Sequence, residues 1–484
     1  MTQRCSCWLA ILAITLLAGC ATRPINAPLT QVDRKLGYRY ENRPQSYDDS
    51  DTLLVVAFSG GGTRAAAFSF GVLEELRRTP VTLNGRQTTM LDEVDIVTGV
   101  SGGSFTALAY GLYGDKLFGS YEQQFLKRDV QGELVRRFLS PLNWMKLWSE
   151  GWGRSEMAEE YYDEILFQGA TFADLEKKPG PWVMATATDI STGSRLGFTQ
   201  TDFDMICSDL GSVPLSRAAA ASSAVPAVLS PVTLNNYGGA CKYREPQWAF
   251  VLDDPKARTR PAGRALQRLK EMRAFQDGVN RPYLHMVDGG VSDNLGMRAI
   301  LEGFEHLESS PGFRRSMRID TLHRIAVIVV NSLSNPSTGW DKSERPPNDL
   351  QLVLKATGVP IDRYSYEAVE LLKDMIYRWQ TTRDLRAAGA FANAGNASLA
   401  RAAANVPNIN IFAVDVSFEA LIDKQERAYL MDLPTSFVLP AESVDRLRAA
   451  AGTILRESPD FQNLVKAMNN ARPPATLAPA IDIR

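Results

Sequence analysis

The chain has 484 residues, 45% hydrophobic and 22% charged, with a net charge of −2. That balance excludes a disordered or fibrous chain and is enough to bury a large core. Basic and acidic residues are interspersed, with no Lys/Arg stripe interleaved with aromatics, so no nucleic-acid partner is expected.

The chain opens "MTQRCSCWLAILAITLLAGC". Arg4 supplies a positive start, and residues 8–18 form an apolar run too short to cross a hydrocarbon layer of about 30 Å, so residues 1–19 read as an export signal. The ending Leu17-Ala18-Gly19-Cys20 resembles the bacterial lipoprotein signal, in which the cysteine becomes the lipidated N-terminus. That resemblance implies lipidation at Cys20, and Ala21 after it implies the outer membrane of a bacterial cell envelope. Cleavage by ordinary signal peptidase, leaving Cys20 a plain thiol, stays open. Beyond the signal only Cys20, Cys207 and Cys241 remain. If Cys20 is lipidated, Cys207 and Cys241 form an even pair in a disulfide-permissive compartment, the alternative being two buried thiols. No Cys/His cluster has metal-ligand spacing, so no metal and no cofactor are expected.

Residues 20–50 are polar, contain prolines and lack periodicity; they read as a flexible tether spanning about 30 Å. From residue 51 strand and helix signals alternate. "TLLVVAFSG" (52–60) is a buried strand followed by the helix former "TRAAAFSFGVLEELRR", and "VDIVTGV" (94–100) is a second strand with a helix from Gly103. "WVMATATDI" (182–190), "LHMVD" (284–288), "RIAVIVVN" (324–331) and "NINIFAVDVSF" (408–418) extend the series, while 349–388 and 440–457 look helical. Continuous apolar strands separated by helices predict an α/β fold with a parallel sheet covered on both faces.

Sites in such sheets lie at the carboxyl ends of strands, and three ends here are rich in glycine. Gly99-Val100-Ser101-Gly102-Gly103 fits a nucleophile elbow, a serine on a tight strand-to-helix turn; a helix-capping serine among packing glycines is the plainer reading. Ser59-Gly60-Gly61-Gly62-Thr63-Arg64 offers backbone N–H groups at a helix start, which suits an oxyanion hole. Gly60, Gly62 and Ala65 also fit a dinucleotide fingerprint, but the next strand ends in "GVSGG" rather than in the acidic residue that fingerprint needs. Asp288, in "MVDGGVSDNLG", follows a strand and precedes two glycines, which places its carboxylate at the same edge; an ordinary Asp-Gly turn competes.

No histidine is well placed to take the serine's proton. His323 opens a strand at its amino end, and His285 lies about 10 Å back from Asp288 on the opposite face. His306 falls about 10–15 Å away along the following helix. Asp288 acting directly on Ser101 remains.

Together "SGGGTRAAAFSFGVLEEL", "GVSGGS" and "VDGG", in this order, resemble the patatin-like phospholipase family over roughly residues 51–335; "TATDISTGSRLGF" and "LSRAAAASSAVPAVLSPV" also look like family segments. The resemblance implies a three-layer α/β sandwich with a mainly parallel central sheet flanked by helices. It implies a lipid acyl hydrolase with Ser101 as nucleophile, Asp288 as base and Gly60, Gly61 and Gly62 as oxyanion loop, acting on membrane lipid or another acyl ester. Arg64 matches the family's basic position and is expected to hold the loop by a salt bridge. Ala65 departs from the glycine usual there. A general esterase or thioesterase, or a non-catalytic lipid- or partner-binding lipoprotein, are the alternatives.

Trp144, Trp148 and Trp152 recur at i, i+4, i+8, a stripe that is either core or membrane-facing. Residues 51–335 form the expected catalytic domain and 336–470 a mostly helical extension packed on it. Within the extension "YEAVELLKDMIYRWQ" reads as a structural layer rather than a lid, and 471–484 is a proline-rich tail.

Overall fold

Strand β1 (Thr52–Phe58) is buried at all seven positions. Such a strand must be covered on both faces, and its alternate residues do go to opposite sides. Leu54, Val56 and Phe58 join one apolar cluster, while Leu53, Val55 and Ala57 join another. The computed structural model describes residues 23–43, 52–309 apart from 84, 148, 150, 247, 248 and 250–262, then 322–391, and 400–470 apart from 401, 402 and 405. The expected signal 1–19, Cys20, Trp148 and the tail 471–484 lie outside the described residues.

After β1 come α1 (Gly62–Arg78), β2 (Val94–Val100) and α2 (Gly102–Tyr113). Three shorter helices, α3 (Val130–Leu139), α4 (Pro141–Leu147) and α5 (Arg154–Tyr162), lead to β3 (Trp182–Asp189) and β4 (Ser194–Gly197). Helix α6 (Leu215–Ser222), β5 (Val232–Asn235), β6 (Tyr283–Asp288) and α7 (Arg298–Ser309) follow. The chain closes with β7 (Arg324–Asn331), α8 (Asp349–Ala387), β8 (Asn410–Ser417), α9 (Ala441–Glu457) and α10 (Pro459–Asn469).

Hydrogen-bonded neighbours run β8-β7-β1-β2-β3-β6-β5, with β4 also on β3. Helices α1, α2, α6 and α9 cover one face and α7 and α8 the other, which makes the three-layer sandwich. Strands β8, β7, β1, β2 and β3 are mutually parallel, whereas β6, β5 and β4 pair antiparallel. The sheet is therefore mixed with mostly parallel strands, in keeping with the mainly parallel sheet that the resemblance implies. The chain turns back after Asp189 in a tight loop closed by the Gly193 N–H on the Asp189 carbonyl. β6 then runs antiparallel to β3, with Met286 opposite Asp189 and Asp288 opposite Ala187.

The expected tether is not free. From Arg23 to Arg43 the chain lies against the domain as an arm: Ala27 and Pro28 pair with Asp209 and Ser208, and the Leu29 N–H donates to the Cys207 carbonyl. Tyr38 is fully buried, its hydroxyl accepting from the Val183 N–H, and Arg39 meets Asp204 at 2.7 Å with both side chains buried. The arm buries isolated residues rather than a periodic face, so periodicity does not reveal it. Cys207 and Cys241, joined by a disulfide with Cα atoms 5.3 Å apart, lie directly under it.

Nor is the chain after 335 an appendage. β8 pairs with β7 along its whole length, and α9 packs on α1. Helix α8 is a structural layer over Ala368–Trp379, with Leu372, Met375 and Trp379 buried against the sheet. Of the tryptophan stripe, Trp144 lies on α4, which is described as far as Leu147, and Trp152 lies outside that helix. Trp144 is half exposed on α4, while Trp152 is buried with its Nε1–H on Glu160.

Removing one partner of a buried ion pair costs about 3–5 kcal/mol. Arg39→Ala should lower the unfolding free energy by that order in denaturant titrations and expose residues 23–43 to limited proteolysis. An unchanged midpoint and cleavage pattern would mean that the arm is not held by this pair.

Candidate active site

Ser101 follows the last residue of β2, and its backbone turns sharply, with φ +48°. A non-glycine residue there carries strain that the surroundings must hold. Two bonds do so: the Ser101 N–H donates to Ser222 Oγ at 2.9 Å, and the Ser101 carbonyl accepts from Ser104 Oγ at 2.6 Å. Val100 is level with Thr186 on β3 and Asp288 with Ala187, so the antiparallel β6 ends beside the elbow although it arrives from the opposite direction. Loop 222–224 fixes that end too, since the Asp288 N–H donates to the Ala224 carbonyl and the Gly289 N–H to the Ser222 carbonyl.

The Ser101 hydroxyl donates to Asp288 Oδ2 at 2.7 Å, while Asp288 Oδ1 accepts from the Gly290 N–H at 2.8 Å. Burial pushes the Asp288 carboxyl up to about 6, against the opposing pull of these two hydrogen bonds. A buried carboxylate of that basicity, bonded to one hydroxyl on a strained turn, is equipped to accept a proton near neutral pH.

The three glycines facing the pair are not equivalent. The Gly60 N–H is already spent on the Asn294 carbonyl at 2.9 Å, which corrects the expectation that all three amides are available. Neither the Gly61 nor the Gly62 N–H has an acceptor among the described residues. Both glycines have positive φ, +138° and +62°, and a Cβ on Gly62 would lie 2.3 Å from the Ser436 carbonyl oxygen.

Arg64 is buried but, among the described residues, forms no salt bridge, contrary to expectation. Its Nε donates to the Ser332 carbonyl, Nη1 to the Leu433 carbonyl and Nη2 to Thr435 Oγ1, at 2.8, 2.8 and 3.2 Å. Burial pushes its guanidinium down to about 10. The arginine thus ties the glycine loop to the end of β7 and to residues 433–435. Ala65 lies inside α1 rather than in the turn, so the missing glycine leaves the loop unaffected.

A cavity of about 640 Å³ opens over the pair. Leu134, Val135 and Phe138 of α3, Met157 of α5, Val228 and Leu229 line it, with the first turns of α8 on the other side. Among the described residues no histidine lines it. His285 lies further out along β6 rather than back within the sheet, with Nδ1 3.0 Å from Thr233 Oγ1, and His323 is exposed at the start of β7. His306 lies on α7. Ser222, Asn294 and residues 433–436 escaped the sequence reading; for Ser222 the small-residue run before "SSAVP" was the available signal.

A family model described as patatin-like phospholipase matches residues 56–301. No curated protein matches the chain. Among solved structures it is similar to human GIVD cytosolic phospholipase A2, at 12% identity and a TM-score of 0.46 over 88% of this chain and 63% of that one. It is also similar to that enzyme in complex with methyl gamma-linolenyl fluorophosphonate (12% identity, TM-score 0.40, 87% and 59% covered). VipD from Legionella pneumophila is a further similar structure (10% identity, TM-score 0.21, 90% and 73% covered). The chain spans about three-fifths of the length of the human structures.

A folded-state carboxyl value near 6, above the unfolded value near 4, means that ionised Asp288 opposes folding. That penalty is absent below the unfolded value, develops as pH rises between the two, and is complete above the folded one. Asp288→Asn should therefore raise the unfolding free energy by about 1–3 kcal/mol at pH 7, with the advantage shrinking toward pH 4. Denaturant titrations at both pH values check this, and a variant less stable than wild type at pH 7 would contradict it.

Proposed function

Because the chain belongs to the patatin-like phospholipase family, we propose that it is a membrane-anchored lipid acyl hydrolase that cleaves fatty-acyl esters through Ser101 and Asp288. The observation that carries the mechanism is the 2.7 Å hydrogen bond from the Ser101 hydroxyl to the buried Asp288 carboxylate.

As the ester carbonyl meets Ser101 Oγ, Asp288 takes the hydroxyl proton and Oγ forms a bond to the carbonyl carbon. Negative charge moves onto the former carbonyl oxygen, where the Gly61 and Gly62 N–H groups are free to donate. The tetrahedral species collapses, the bond to the alcohol oxygen breaks, and the leaving alkoxide takes the proton from Asp288. The acyl group is now on Ser101. Water then gives a proton to Asp288 and attacks the acyl carbon, and Oγ leaves with that proton, releasing the fatty acid. The apolar cavity suits an acyl chain. Retention of the enzyme at a bacterial envelope through lipidated Cys20 rests on the Leu17-Ala18-Gly19-Cys20 motif and belongs to this proposal.

A fluorophosphonate probe should label the wild type covalently and fail on Ser101→Ala. Ser101→Ala and Asp288→Asn should each lower kcat/KM on an acyl ester by at least about 10³-fold. The wild-type kcat/KM should fall along a single limb below pH 6, to about a tenth of its plateau at pH 5. Full activity in Asp288→Asn would defeat the two-residue mechanism, and a wild type that neither labels nor cleaves any ester would defeat the hydrolase reading.

A further inference from the structure

The apolar walls of the cavity do not stop where it meets solvent. Val135, Phe138, Val228 and Leu354 line it and are also 39–52% exposed. Beyond them, where α3 passes into α4, Leu139, Leu142 and Trp144 stand 60, 87 and 50% exposed. A contiguous apolar rim around a pocket mouth marks an interaction surface. Its charged members at the mouth are Arg154 and Lys355, with Asp362 as the acid beside them.

The arm shows what the rim faces. Arg23 is anchored on the outer ends of β5 and β6: its guanidinium donates to the Thr233 carbonyl and to Asn235 Oδ1 and lies over the Tyr283 ring. Tyr283 and Asp288 are the two ends of β6, about 17 Å apart along an extended strand. Met286 pairs with Asp189, the last residue of β3, so Tyr283 projects beyond the carboxyl edge and the arm begins on the same side of the sheet as the pocket. Only Ala21 and Thr22 separate Arg23 from Cys20, a reach of at most about 10 Å. Around this root Ile25, Val279, Tyr283 and Ile190 are 65, 89, 54 and 50% exposed. A lipid on Cys20, or the apolar run 8–18 itself, would hold this edge and not another against a lipid surface.

We propose that the edge formed by the α3–α4 turn, the loop before β5 and the outer ends of β5 and β6 is the face on which the protein lies on a lipid bilayer, so that the pocket draws its acyl ester straight from the surface to which the N-terminus is joined. The substrate half of this statement rests on the hydrolase reading; the placement does not. Docking buries the leucine and tryptophan side chains of the rim among acyl chains and sets Arg154 and Lys355 at the depth of anionic headgroups.

The full-length protein is mixed with phosphatidylethanolamine–phosphatidylglycerol vesicles with and without brominated acyl chains, and tryptophan fluorescence is read. Brominated lipid should quench the wild type more than Trp144→Phe. Hydrolysis of vesicle phospholipid should fall at least tenfold in Leu139→Asp/Leu142→Asp, with the rate on a soluble short-chain ester within twofold. Ile422→Asp, an exposed apolar position outside this rim, should change neither rate. Equal quenching of wild type and Trp144→Phe, or an aspartate pair that leaves vesicle hydrolysis intact, overturns the proposal. So does an aspartate pair that only converts a dimer to a monomer by sedimentation, because the rim would then belong to a second copy. Trp144-dependent quenching by a wild type that cleaves neither substrate upholds the placement and removes the hydrolase reading instead.

Discussion

Two loops of this protein touch through their backbones, and the site depends on that contact. A Cβ on Gly102 would lie 2.0 Å from the Gly62 carbonyl oxygen, and one on Gly62 would lie 2.3 Å from that of Ser436. No side chain larger than hydrogen fits between the serine turn and the glycine loop beside it. The contact sets how far Ser101 stands from the Gly61 and Gly62 N–H groups, and its surroundings keep the loops in register. The Thr63 N–H donates to the Ser436 carbonyl, and Arg64 spans from Ser332 to Leu433 and Thr435. A buried guanidinium is costly unless its donors are met, so Arg64 makes any displacement of residues 433–436 expensive. Rigidity at the glycine loop is thus supplied by a segment more than 350 residues away in sequence.

Helix α8 shows a similar economy. Its later turns bury Leu372, Met375 and Trp379 against the sheet, whereas Leu354, Ile361 and Asp362 in its first turns wall the pocket. Substitutions early in the helix therefore change the pocket wall, and those in its second half act on stability.

Much of this was legible in the sequence, and the limits have physical causes. The strands over 52–58, 94–100, 182–189 and 324–331 were readable because a strand buried on both faces must be apolar throughout and must end where glycines let the chain turn. Ser101 and Asp288 were assigned to one edge by that reasoning, and their side chains do meet. The direction of β6 was not readable, because neighbouring strands and not its own residues decide it. Arg64 was recognisable as a loop support, but its partners were not: two are backbone carbonyls, which leave no mark in a sequence. Trp144 and Trp152 share a helical spacing, but α4 is described as far as Leu147 and Trp152 lies outside that helix, which spacing alone does not show.

The arm also fixes an order of events. Arg39 finds Asp204 across 165 residues of chain, and Arg23 finds Asn235 across 212. The Val32 N–H donates to the carbonyl of Cys241, which closes the disulfide. Contacts of such separation form late, after loop-closure entropy has been overcome. Residues 23–43 lack their partners until the surface built from residues 204–241 has formed, so the arm docks on a fold already made.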